Sequence, residues 1–358
     1  MALRILLLTM LWMFLGSCDR TSPEQQWVAA ISQRIDSSYQ TLHQESQALG
    51  KSVADYCDQP SDLSGPRQQW LKTMGAWQDV QWVHFGPIVE TNDDWKIQFW
   101  PDKKNIVARK INKILAGSDA VSVDAVANAS VVVQGLSAVE LLLYDEPYVS
   151  RFGDGSEVSA RQCELSIAIA ENLADNTDKI LQKWRDPDFQ AAWLATLDEP
   201  EDGVHANAVS DVVGAMLTQM EKVKTDKLGG PLGYKNRNRQ PNGYFSESWR
   251  SSSSLDNIKS NLLAMQGIID NDDPYDLRRL LESKGSGVIA DEFQARVNDG
   301  LALLSTVDKP LRQAAMDVGY KQQLEDLYQS IGELNSLIKT KLTVALGVNL
   351  GFNSNDGD

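Results

Sequence analysis

The sequence predicts an all-α protein. Three observations carry that expectation. A seven-residue apolar repeat runs through the first long segment, helix-period apolar patterns recur along the rest of the chain, and strand-type alternation is almost absent. The chain has 358 residues, and its helical segments fall into two groups of similar size. The expected architecture is two tandem helical bundles of the four-helix type, over residues 25–197 and 204–348.

The N-terminus reads as an export signal. Arg4 gives a short basic region, and residues 5–15 form an apolar run of eleven. That run is too short to span a bilayer and has the length of a signal peptide. It ends in Leu15-Gly16-Ser17-Cys18, which resembles the bacterial lipoprotein signal, with small residues before the cysteine. The resemblance implies that residues 1–17 are removed, that Cys18 becomes a lipid-modified first residue, and that 18–24 form a tether at the membrane. The alternative is an ordinary secretory peptide that happens to contain a cysteine. Asp19 follows directly, a position that favours inner-membrane retention in enterobacterial lipoproteins; the inner and the outer membrane both stay open. No later stretch has the length and apolarity to span a membrane, so a periplasmic body is expected.

From residue 23 to 57 an apolar stripe passes through Ile35, Leu42, Leu49 and Tyr56, with a second row through Trp27 or Ile31, Tyr39 and Val53. A period held this long predicts one long bundle helix. Gln59-Pro60-Ser61 and Ser64-Gly65-Pro66 break it. A second helix is expected over 67–84, with Trp70, Met74 and Trp77 facing inward, stopped by Gly86-Pro87. An irregular aromatic stretch ends in Phe99-Trp100-Pro101-Asp102, followed by a short helix over 103–115. A further helix is expected over 157–184, ended by Asp186-Pro187. Residues 197–203, Leu-Asp-Glu-Pro-Glu-Asp-Gly, read as an acidic linker between the bundles. Beyond it come a helix over 206–228 and a long loop over 229–244, rich in Gly, Pro and Asn. Ser253 and Asp256 are spaced as a capping box for a helix over 255–269. Shorter helical structure to 283 and helices over 288–307 and 317–346 complete the bundle, and 349–358 form a tail.

Two cysteines remain after Cys18, Cys57 and Cys163. In an oxidising compartment they read as a candidate disulfide, with two buried free thiols as the alternative. The bridge closes a loop of about 106 residues, worth on the order of 4 to 5 kcal/mol in the chain-entropy model. No CxxC is present, which leaves redox catalysis and thiolate metal sites without support. The formal charge is −15, and loss of Arg4 with the signal takes it to −16. Such a charge argues against nucleic acid as a partner and against non-specific attraction to anionic lipid.

The stretch from Val131 to Tyr144 is almost wholly apolar yet contains one carboxylate, Glu140. On a helix, Gln134, Ser137, Glu140 and Tyr144 share one face, while Leu136, Val139, Leu141, Leu142 and Leu143 cover the others. An ionised carboxylate in such surroundings is costly unless paired, hydrogen-bonded, metal-bound or protonated. Two readings stand: a structural polar network joining helices, and a ligand or metal site between them.

Several separated segments then resemble one family, the imelysin-like lipoproteins of Gram-negative periplasms, grouped with the M75 peptidases. They are His84-Phe85-Gly86-Pro87, Phe99-Trp100-Pro101-Asp102, the 134–144 helix, Glu247-Ser248-Trp249-Arg250-Ser251, Leu350-Gly351-Phe352 and Asp356-Gly357-Asp358. The resemblance covers essentially the whole mature chain. It implies an all-α fold of two helical-bundle domains and a role associated with bacterial iron uptake. The family signature is G-x-H-x-x-E; here Gly135 and Glu140 match its ends, and Ser137 stands at the histidine position. A hydroxyl is a poor substitute for an imidazole metal ligand, so Glu140 alone carries over as a candidate metal ligand, for iron or another divalent or trivalent cation.

The segments that share the resemblance supply the remaining candidate ligand-binding residues. Trp100, Asp102 and Lys104 come from one half; Glu247, Trp249 and Arg250 come from the other, with Ser137 and Glu140 between. Arg250 or Lys104 is expected to pair with Glu140. His43, His84 and His205 are the only histidines, and none falls in an HExxH or similar arrangement. No catalytic residue is assigned. Lys235, Arg237 and Arg239 make an unusually basic loop for so acidic a chain, readable as an anion site with the helix start at Ser253 or as a solvated loop. The sequence thus reads as a lipid-anchored binding or accessory component of iron uptake, with envelope proteins of that system as partners. The alternatives are an M75-type hydrolase and an envelope scaffold.

Overall fold

The computed structural model describes residues 21–198, 207–271 and 273–348. Cys18, His205, most of the acidic linker and the 349–358 tail lie outside the described residues. Within them the protein is all-α, with no strand. The principal helices are α1 (Pro23–Asp58), α2 (Ser64–Val80), α3 (Ile106–Leu115), α4 (Gly135–Tyr144), α5 (Glu157–Trp184), α6 (Pro187–Ala195), α7 (Ala208–Lys222), α8 (Ser254–Ile269), α9 (Leu277–Ser283), α10 (Gly287–Leu304) and α11 (Lys321–Leu337). No helix among the described residues is long and apolar enough to cross a membrane.

The heptad row predicts α1 well. Ile35, Leu42 and Leu49 are fully buried, each burial favourable by about 1.5–3 kcal/mol. Ser22 and Gln25 close a capping box at its start. Helix α1 packs along α2 and α5, α4 lies against α2 and α5, and the disulfide Cys57–Cys163 ties the end of α1 to α5. In the second half α10 packs on α8 and α11, and α7 packs on α11. Helix α2 also lies against α8, and a single apolar core runs without a break through both sets.

Several boundaries differ from expectation for local reasons. Helix α2 begins at Ser64, with Gly65-Pro66 inside its first turn, where a missing N–H costs nothing. Asp186-Pro187 ends α5 but also opens α6: Asp186 accepts from the Asp188 and Phe189 backbone N–H groups, and Pro187 takes the first helical position. Helix α3 starts at Ile106 because Asp102 accepts from the Ile106 and Val107 N–H groups, at 2.7 and 2.9 Å. Ser253 sits at the N-cap of α8 without making a side-chain cap; its hydroxyl lies 2.9 Å from that of Ser251 instead. Both α7 and α11 pass into π-helical turns, Val223–Leu228 and Ile338–Leu342.

Candidate functional site

The apolar helix α4 is seated by its first residue. Gly135 has φ +68°, and a Cβ there would fall 2.3 Å from the Ile97 carbonyl and 2.4 Å from that of Lys96. Only glycine allows so close an approach. This contact brings the 97–105 segment beside α4, so that Ser137 donates to the Phe99 carbonyl at 3.0 Å. The loop before α8 folds over from the other side. Ser248 and Ser252 there take left-handed φ values of 49° and 62°, and Asn105 opposite takes 50°, a costly conformation for residues other than glycine.

These segments enclose a cleft of about 450 Å³. Trp100, Asp102, Lys104, Ser137, Glu140, Trp249 and Arg250 all line it, together with Tyr244 and Phe245. Glu140 is 5% exposed. Its Oε1 accepts from the Ser251 backbone N–H and hydroxyl, both at 2.9 Å, and the Arg250 backbone N–H also favours the ionised carboxylate. Burial pushes its carboxyl up, against the opposing pull of the Ser251 bonds and the nearby Arg250 charge. The expected bridge from Arg250 or Lys104 is not made. Arg250 instead donates to Asp145 Oδ2 at 2.9 Å and Asn105 Oδ1 at 3.1 Å, and lies over the Trp249 ring at 4.2 Å. Asp145 follows the last residue of α4, which explains the choice: the helix end delivers a half-exposed carboxylate nearer the guanidinium. Lys104 is exposed and has no ion-pair partner among the described residues.

The imelysin (peptidase M75) family model matches residues 35–338. The chain belongs to the imelysin family. Its fold matches an imelysin-like protein from Psychrobacter arcticum 273-4 with a TM-score of 0.78 at 21% identity, covering 93% of this chain and 98% of that one. A second match, described as an iron-regulated protein A precursor from Parabacteroides distasonis ATCC 8503, has a TM-score of 0.67 at 15% identity, covering 90% and 95%. No curated protein gives a significant match.

In this imelysin-family chain, Glu247 does not line the cleft. It is fully buried behind it, with its Oε2 2.9 Å from the ammonium of Lys227, which is also fully buried. Lys227 donates to Gln78 Oε1 at 2.5 Å and Asn261 Oδ1 at 2.7 Å. Asn257, Gln98 and Gln78 donate to Glu247 at 2.9, 3.0 and 3.2 Å. Burial draws Lys227 down to about 8, while the Lys227 charge and these donors hold Glu247 below the ordinary carboxylate range despite its burial. The network spans α2, the 97–105 segment, the π turn after α7, and α8. Sequence reasoning missed Lys227, although Met216, Met220, Val223 and Lys227 stand at spacings of four, three and four on one face.

The other family segment has a packing role. In His84-Phe85-Gly86-Pro87, Phe85 stacks on Trp193 at 5.3 Å and meets Trp184 edge-on at 6.0 Å. His84 is exposed, and His43 contacts the Ala174 carbonyl at 3.2 Å, both away from the cleft. No group of three or more His, Cys, Asp or Glu side chains among the described residues is placed to hold a metal ion. Of the carboxylates in the cleft lining, Asp102 caps α3 and Asp145 is paired with Arg250, which leaves Glu140 alone among hydroxyls and an arginine. Those residues do not fit a bare metal ion held by protein donors alone.

Proposed function

We propose that the protein is a binding component of iron acquisition, tethered through Cys18 in the periplasm, whose cleft takes iron as a chelate that carries its own donors. The observation that supports this reading is Glu140, a buried carboxylate in the cleft lining that has no ion-pair partner among the described residues. Its raised pKa lets the carboxyl accept a hydrogen bond when ionised or donate one when protonated. Trp100 and Trp249 add flat apolar faces, and Lys103 and Lys104, neither held in an ion pair among the described residues, add positive charge that suits an anionic chelate better than a naked cation. The structural neighbour from Parabacteroides distasonis, described as an iron-regulated protein A precursor, agrees in subject.

Calorimetry with ferric citrate, citrate alone and ferrous sulfate tests the reading. Heat of binding is expected from the chelate, and Glu140→Ala should weaken it by about tenfold, the value of one lost hydrogen bond to a charged group. Equal affinity in both proteins refutes the proposal. A hydrolase reading follows the family name by analogy alone. Turnover of a peptide substrate that Ser137→Ala abolishes would put that reading in its place.

A further inference from the structure

Beside the cleft, and sharing Lys103, Asn242, Tyr244 and Phe245 with it, lies an open groove of about 1240 Å³. The lining contains Lys103, Lys235, Arg237 and Arg312 and no aspartate or glutamate. That is unexpected in a chain with 49 acidic and 34 basic residues, where a random surface of this size would carry acids. Apart from the Tyr244 hydroxyl, the remaining polar side chains of the lining are amides: Asn236, Asn238, Gln240, Asn242 and Gln313.

The cations differ in how they are held. Lys235 is paired with Asp226 at 2.6 Å, and Arg239, next to the groove, donates to the Tyr234 carbonyl at 2.8 Å. Lys103 and Arg237 are exposed and have no ion-pair or hydrogen-bond partner among the described residues. Arg312 has no carboxylate either; its guanidinium lies 5.3 Å from the Tyr244 ring and 5.3 Å from the Trp249 ring. The loop is fixed before any ligand arrives. A Cβ on Gly243 would fall 2.0 Å from the Arg312 carbonyl, so the chain rests directly on Arg312 there, and Asn236 donates to the Gln240 carbonyl at 2.7 Å.

We propose that this groove binds a polyanion through phosphate or carboxylate groups, with Lys103, Arg237 and Arg312 as its charged contacts. Three unpaired cations from three separate segments converge on one acid-free surface, with amide donors between them. Such a constellation repels itself unless an anion shares it, and each cation–anion contact adds a charge-assisted hydrogen bond. The anion is either a free small molecule or the headgroup of an anionic lipid. The site is independent of Glu140 and stands or falls separately from the chelate proposal.

The test uses the full mature chain in two arms: calorimetry with inorganic pyrophosphate, and sedimentation with phosphatidylglycerol vesicles against phosphatidylcholine vesicles. Binding in either arm, weakened by added salt and by about tenfold or more in Lys103→Gln/Arg237→Gln, supports the proposal and identifies the source of the anion. Lys235→Gln/Arg239→Gln, which removes cations that already have partners, should change affinity less than about threefold. The substituted side chains are exposed, so each variant should melt with the parent, and a melt confirms it. No binding in either arm, or binding that Lys103→Gln/Arg237→Gln leaves intact, overturns the proposal.

Discussion

Lys227→Met removes a buried ammonium and keeps most of its apolar stem. Three contacts go at once: the ion pair to Glu247 and the bonds to Gln78 and Asn261. Removing one partner of a buried pair costs about 3–5 kcal/mol, because the other charge stays out of water without a counter-ion. The amides soften the remaining loss, since Asn261 Nδ2 already reaches Gln78 Oε1 at 3.1 Å; on the order of 1 kcal/mol is added there. A total of about 4–6 kcal/mol is a large part of the ordinary stability of a folded protein. The pH dependence gives a second check. In the parent protein Glu247 is held below the usual carboxylate range, so its contribution is present above that range and is lost as pH falls through the folded value. Without Lys227, burial outweighs the neutral donors Asn257, Gln98 and Gln78 that remain, the folded carboxyl keeps a proton that the unfolded chain has released, and the sign reverses. The stability of the variant relative to the parent should then fall as pH rises from about 5 to about 7, with a slope approaching about 1.4 kcal/mol per pH unit. Urea unfolding followed by tryptophan fluorescence measures both quantities. A loss below about 1 kcal/mol, or a difference that is flat with pH, refutes the account.

Three further outcomes are expected. Gly135→Ala should cost at least about 2 kcal/mol in urea unfolding, since the new Cβ meets the Ile97 carbonyl at a positive φ; a neutral result would mean that α4 can shift away from the 97–105 segment. Glu140→Gln should flatten part of the pH dependence of stability. The raised pKa of Glu140 makes the parent lose stability as pH climbs above the ordinary carboxylate value, which an amide cannot do, and unchanged urea midpoints against pH would contradict the stated burial effect. Cys57→Ser/Cys163→Ser should lower stability by about 4–5 kcal/mol, the loop-entropy value for a bridge of this span, with non-reducing gel mobility confirming that the parent is bridged.

The helices were legible where one physical signal dominated. The α1 heptad row and the α5 bounds came straight from apolar spacing, because burial along a long helix leaves a periodic trace. Glu140 was legible for the opposite reason, as one charge in a run with no other. Its partner was not, because Ser251 reaches it from 111 residues away through a loop whose left-handed serines have no sequence mark. Lys227 is hidden by its company: it follows Lys222 and Lys224 near a helix end, and only registration with Met216, Met220 and Val223 separates the buried one. Asp186-Pro187 reads as a stop after the apolar run of α5, but the same pair is a strong helix start, and the sparse apolar pattern that follows does not announce α6.

The seam where α2 meets α8 is fastened by Lys227, Glu247, Gln78 and Asn261, with each polar head matched across the contact. Sliding one face past the other would strand opposite charges in a greasy crevice. Jaw-like closing about this seam is therefore suppressed; under the proposed binding role the neighbouring mouth would act as a fixed gauge, sorting guests by whether they fit it as built, with their escape rate set by how tightly they hold.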